Sequence, residues 1–413
     1  MKFLSSIVII VVIALIGSRL TFFNRKLPLA FRIIIFTGIE YIFIGVLLGE
    51  MGVNLINAES LNNFEPFLIF AVSWIGFLFG LQFKFGTLKN LPRFFFPVSA
   101  IQAAVTFALT TGVLYFSFKA FVSLPDKVIM IMALTLGSAA CCTAQSALAV
   151  VKGNYRLENR KLFSLLQYIS GIDGLFALCF LSLTTFILPY AETSVLILNA
   201  LWRFSLAIGI GMISALILII LSKAKFSQQE FIVFIIGVVL FGGGLAIKTH
   251  NSPLVTGFIC GILTANFCRH RLRALETVTQ SEKSVYIVLL ILLGAGWTLT
   301  LDYILVITGI YFSVRIAGKM VGTFVATRSF RSDFSIPPYA GLGLISEGGL
   351  AVAIIINFSF LYPSLSDYVA TIVIVSMFIS EIISPRLILS QFDHPEPIEF
   401  GGDQSAIKRR YDK

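Results

Sequence analysis

One carboxylate stands alone in the run LFSLLQYISGIDGLFALCFLSLTTFIL, residues 162 to 188, where Asp173 is the single formal charge. The run is long enough to cross a bilayer, and a carboxylate near the middle of such a helix costs roughly 2.5 to 3.5 kcal/mol on insertion scales. Residues kept at that cost usually face a cavity and mark an ion or proton path; a hydrogen-bonded structural Asp at a helix contact is the alternative. At one buried carboxylate a proton and a cation exclude each other, which is the chemistry an exchanger needs. Arg315 and Lys319 lie four residues apart in a later apolar run, hence on one helix face. One of them is expected to pair with Glu347 of SEGGLA and the other to snorkel towards the cytoplasmic interface, since unpaired charge in the membrane is expensive. Structural pairing suits Glu347 better than a ligand role. Glu40 is a further intramembrane charge and is given no catalytic role.

The elements that position these residues follow from composition. With 57% hydrophobic residues and a mean hydropathy of +0.93, the chain is too apolar for a soluble globular domain. Apolar runs of about 20 residues recur, which favours helices over the short alternating segments of a barrel. An all-α polytopic membrane protein of about 13 spans is expected, at 4–20, 30–49, 64–83, 94–118, 127–151, 161–188, 197–222, 230–247, 253–268, 284–301, 303–326, 337–361 and 367–391. Loops after the odd-numbered spans collect Lys and Arg, as in Lys152, Arg156, Arg160 and Lys161, and so does the tail with Lys408, Arg409 and Arg410. The loops between them are short, acidic or nearly uncharged, apart from Lys119, Lys127 and Lys248. This places the N-terminus outside and the C-terminus in the cytoplasm of an inner or plasma membrane. The net charge of +10 is then mostly an orientation signal, and a nucleic-acid partner is not implied.

An odd span count permits two inverted six-helix repeats, about 1–190 and 229–392, joined by a linker helix at 197–222, with a short cytoplasmic tail at 393–413. Spans 5 and 12 then correspond, and both carry small or polar interruptions: GSAACCTAQSA from Gly137 and GLGLISEGG from Gly341. Broken helices are expected there, at Cys142 and Ala144 in one and at Ser346, Gly348 and Gly349 in the other, with freed carbonyls and half-helix ends beside Asp173. Close packing of small residues is the competing explanation. Thr143, Gln145 and Ser170 are further candidates for binding a monovalent cation with Asp173. The five cysteines show no CxxC or Cys/His spacing and read as small core residues, without a disulfide framework or zinc site. No nucleophile and base or metal-ligand cluster suggests an enzyme, and no cofactor is implied.

The sequence resembles the monovalent cation/proton antiporter superfamily, especially its Kef-type and NapA-type branch. The resemblance rests on VLLGEMGVNLI from Val46, GFLFGLQFKFGTLKN from Gly76, VTGFICGILTANF from Val255 and LLGAGWTLTLD from Leu292, all in order and in register. CTAQSALAVVKGN resembles the family's unwound segment, with Thr143 in the threonine place and Ala144 where many members have Asp or Ser. ISGIDGLFAL resembles the paired-residue segment, with Asp173 and Gly174 matching but Ile172 in the partner position. The resemblance implies secondary exchange of protons for Na+ or K+ at Asp173 in a homodimer. One carboxylate without its partner suits electroneutral, one-for-one exchange. Proton-coupled movement of another small solute, or a non-transporting sensor on a degenerate fold, stays open at this point. Many Kef-type proteins carry a cytoplasmic regulatory domain, so gating here would need a separate regulatory subunit.

Overall fold

The structure is a computed structural model and describes residues 9–10, 12–13, 38–86, 94–157, 159–187, 196–224, 227–298, 303–330, 336–392 and 396–397. The span expected at 4–20 lies almost wholly outside these residues, as do the tail beyond residue 397 and the first part of the span at 30–49. Among the described residues the chain is helical apart from one short antiparallel bridge. In order its helices are α1 (Glu40–Leu48), α2 (Ala58–Gln82), α3 (Phe95–Phe121), α4 (Asp126–Cys141), α5 (Gln145–Asn154), α6 (Arg160–Ile187), α7 (Leu196–Leu221), α8 (Gln228–Lys248), α9 (Pro253–Phe267), α10 (Arg271–Gly296), α11 (Ile304–Ser329), α12 (Gly349–Leu361) and α13 (Ser366–Leu389). Among the described residues, nine spans are long and apolar enough to cross a membrane, with α4 and α5 forming one of them.

The expected spans from 64 onward each meet a helix or a pair of helices. Two of the differences are instructive. α10 begins at Arg271, well before the apolar run expected from residue 284. Its first three turns, RLRALETVTQSE, are too polar for a hydropathy window, yet they hold strong helix formers, so propensity continues the helix beyond the apolar segment. The spans at 127–151 and 337–361 are each two pieces. α4 stops at Cys141, and residues 142–144 run extended into α5; a 3-10 turn at Ala340–Leu344 gives way to residues 345–348 before α12.

Helix pairings repeat between the two halves. α1 packs on α10 as α9 packs on α2, α3 packs on α6 as α11 packs on α13, and α3 packs on α4 as α11 packs on the 3-10 turn. α3 and α11 pack on each other. The α2–α9 contact depends on glycine: a Cβ at Gly76 or Gly257 would lie 2.1 or 2.2 Å from a backbone oxygen of the facing helix, so a larger residue would push the backbones apart. A two-residue antiparallel bridge pairs Tyr155 with Pro397 and Arg156 with Glu396, tying the tail to the loop after α5.

Candidate functional site

Breaking a helix inside the membrane frees backbone groups that lipid cannot satisfy, so the breaks survive only where protein takes over. Here they satisfy each other first. The Ala144 N–H donates to the Ser346 carbonyl at 2.9 Å, stitching the two extended segments at the point where they cross. Gly348 makes that approach possible, since a Cβ there would sit 3.1 Å from the Cα of Ala144. Cys142, Ala144, Ser346, Gly348 and Gly349 all fall in or at the edge of these two segments, where the sequence puts them.

Four carbonyls at the breaks, those of Cys141, Cys142, Ile345 and Ser346, are met by the two cations of α11. Arg315 donates through one terminal nitrogen to the Ile345 carbonyl and through the other to the Cys142 carbonyl at 3.0 Å and the Ser346 carbonyl at 3.4 Å, so one guanidinium spans both breaks. Its Nε is 3.9 Å from Glu347 Oε1. Glu347 in turn accepts from the Tyr311 hydroxyl at 2.8 Å and from Ser376 at 3.2 Å. Of the two cations, either of which could have paired with Glu347, Arg315 is the one beside it, although carbonyls hold the guanidinium more closely than the carboxylate does.

Lys319 corrects the expectation of snorkelling. It is fully buried and points into the crossing, because its α11 face is the face that packs on the first break. Its ammonium donates to the Cys141 carbonyl, to Thr143 Oγ1 at 2.8 Å and to Asp173 Oδ2 at 3.1 Å. Thr143 donates its hydroxyl proton to the same Asp173 oxygen, and the Leu344 carbonyl lies 3.3 Å from that hydroxyl. Asp173 is 1% exposed, and its Oδ1 has no hydrogen-bond partner among the described residues. A carboxylate, a hydroxyl and a carbonyl thus converge on one positively charged nitrogen.

Other candidates fall outside this shell. The Ser170 hydroxyl donates to the Gln167 carbonyl of its own helix at 2.9 Å. Gln145 is exposed, and its amide lies against Gly171, two residues before Asp173. Ile172, in the family's partner position, is buried in the main apolar cluster. Cys141, Cys142, Cys260 and Cys268 are buried thiols as expected, whereas Cys179 faces outward. Glu40 starts α1 within electrostatic reach of Lys283 on α10, not at the crossing.

Sequence reasoning passed over Glu381. This α13 carboxylate is fully buried and accepts from the Ser346 hydroxyl at 2.7 Å. The signal was available in its surroundings: Ser376, Ser380 and Ser384 recur at four-residue spacing in an otherwise apolar helix, a polar stripe that a lipid-facing helix would not carry.

No family model matches the sequence, and no curated protein does. Among solved structures, the chain is similar to the sodium proton antiporter MjNhaP1 from Methanocaldococcus jannaschii, at 16% identity and a TM-score of 0.63, over 95% of this chain and 100% of that one. With the crossing of two broken helices, this likeness shows that the chain has the same all-helical fold as that antiporter.

Proposed function

We propose that the protein is a secondary active transporter that exchanges protons for a monovalent cation, Na+ or K+, one for one, with Asp173 as the group both ions share. The observation that carries this reading is the position of the Lys319 ammonium, which is held by three oxygens at once: Cys141 O, Thr143 Oγ1 and Asp173 Oδ2. Oxygen donors of this kind suit a hard cation, so an entering ion finds its ligands assembled around the head it must displace. Lysine suits that part better than arginine, being a compact point charge on a flexible stem and not a five-donor fork. The partnerless Asp173 Oδ1 adds a fourth oxygen.

Entry of the cation adds positive charge to a dry region, and release of a proton restores the balance; on the return stroke a proton replaces the cation. The fold matched here belongs to a sodium proton antiporter, which supports the assignment of the ions. Packing pairs that repeat between the halves support rocking of inverted repeats, about 1–190 and 229–392, around the crossing. In this reading the protein sits in the inner or plasma membrane as a homodimer, N-terminus outside, with a regulatory subunit as an optional partner.

The test is reconstitution in liposomes with an imposed pH gradient followed by a pH-sensitive dye. Addition of Na+, K+ or Li+ is expected to collapse the gradient with wild type and not with Asp173→Asn. Folded wild-type protein that leaves the gradient intact across a range of pH would sink the antiport reading and favour another solute or a sensor.

A further inference from the structure

Five charged side chains are buried to within 1% of full exclusion among the described residues, and all five meet at the crossing: Asp173, Glu347 and Glu381 with Arg315 and Lys319. Three carboxylates thus face two cations. Fully ionised, the cluster would keep one uncompensated negative charge in a region without solvent, an arrangement that burial opposes strongly. A proton bound to one carboxylate removes it.

The contacts single out which one. Asp173 is met by the Lys319 ammonium and the Thr143 hydroxyl, both of which favour the ionised form. Glu347 is met by the Tyr311 and Ser376 hydroxyls and has the Arg315 guanidinium beside it. Glu381 meets only neutral donors, the Ser346 hydroxyl on Oε1 and the Glu347 backbone N–H, and its Oε2 has no close donor among the described residues. Around it stand Arg315 from α11, whose nearest reach towards this helix is Ser380 at 3.4 Å, the like-charged Glu347, and the phenol of Tyr286 from α10. An unpartnered acid hydroxyl costs less than an unpartnered charge.

We infer that Glu381 is a second proton-binding site and the resting place of the exchanged proton: as a neutral acid it holds the one proton that displaces the cation from Asp173, balancing the crossing while Asp173 is ionised against Lys319, and it gives that proton up to water when a cation joins Asp173. In that step the O–H bond of the acid breaks, the proton leaves to water, the carboxylate keeps the electron pair, and the incoming cation replaces the lost charge. The Tyr286 ring lies against Gly349 and within electrostatic reach of Glu381, Glu282 and Glu40, so polar groups continue from Glu381 along α10 towards its Arg271 end. The coupling to the cation rests on the exchange reading; the proton on Glu381 does not.

Infrared difference spectroscopy of the full chain in nanodiscs reads this directly, because a protonated carboxylic acid has a carbonyl stretch that carboxylates lack. Wild type at neutral pH is expected to show such a band, and Glu381→Gln, which keeps the shape of the neutral acid, is expected to lose it. Asp173→Asn is expected to weaken the same band without touching Glu381, since the cluster then balances without the proton; a merely structural acid would not respond. If Glu381→Gln does not fold, Glu381→Asp should shift the band. A wild type without the band, or a band that survives Glu381→Gln unchanged, overturns the inference. Adding NaCl or KCl, with choline chloride as control, should abolish the band and release a proton for each cation bound. A band assigned to Glu381 that ignores both salts would leave the proton site standing and contradict the exchange reading.

Discussion

At the first break, between α4 and α5, Asp173 and the Cys141 carbonyl are held by one ammonium, that of Lys319; at the second, before α12, the Ile345 and Ser346 carbonyls are held by the Arg315 guanidinium with Glu347 beside it. Both cations leave the same face of α11, four residues apart. The difference is in what can let go. A guanidinium that donates to carbonyls of both segments fixes the crossing, and its planar fork cannot be replaced by a spherical ion without losing that geometry. The ammonium touches three oxygens that a small cation could hold equally well. In the proposed exchange the pair of breaks therefore divides the work: the arginine side would keep the crossing assembled, and the lysine side would exchange.

Removing the arginine is expected to have the largest effect. Arg315→Gln leaves carbonyls of both breaks and Glu347 without their cation, and loss of one partner from a buried charge cluster costs about 3–5 kcal/mol. Thermal unfolding in detergent should show a large drop in midpoint that NaCl does not restore. Lys319→Gln sharpens the contrast. It removes the displaceable cation, so Na+ or K+ should recover part of the loss, about 2.7 kcal/mol at roughly a hundredfold excess over Kd. Equal insensitivity of both variants to salt would erase the distinction between the two sides. Thr143→Ala is expected to weaken cation binding by about 1.5–3 kcal/mol, the worth of a hydrogen bond to a charged group, while the protein still folds; equilibrium cation titration measures it. Gly348→Ala is the smallest. A Cβ placed 3.1 Å from the Ala144 Cα forces a slight opening of the crossing, about 1–3 kcal/mol of overpacking, seen as a lower melting temperature.

Much of this arrangement was legible in the chain. Hydropathy located the spans because a bilayer demands length and apolarity, and Asp173, Arg315, Lys319 and Glu347 stood out against that background. Small or polar residues at 142–144 and 346–349 marked the breaks, since irregular backbone at membrane depth needs close partners. What hydropathy could not supply was direction. Whether Lys319 reaches the interface or the crossing depends on which face of α11 packs on the first break, a tertiary fact. Ser170, three residues before Asp173, and Gln145, two residues after Thr143, suggested ligands, yet Ser170 bonds its own helix and Gln145 covers Gly171. Glu381 was hidden because a single acid in an apolar run near a chain end resembles an interfacial residue; only the serine stripe beside it argued otherwise. The start of α10 lay beyond reach of a hydropathy window, because its first turns are polar on most faces and bury only a short apolar stripe, Ala274 and Val278.

The central claim, that proton and cation compete through Asp173, is tested most directly by initial exchange rates in proteoliposomes over a range of cation concentrations at several pH values. Competition predicts that the apparent KM falls about tenfold for each pH unit on the acid side, with the limiting rate unchanged, because each proton removed from the site admits a cation. A KM that stays constant with pH while the limiting rate changes would contradict it, placing the proton and the cation at independent sites.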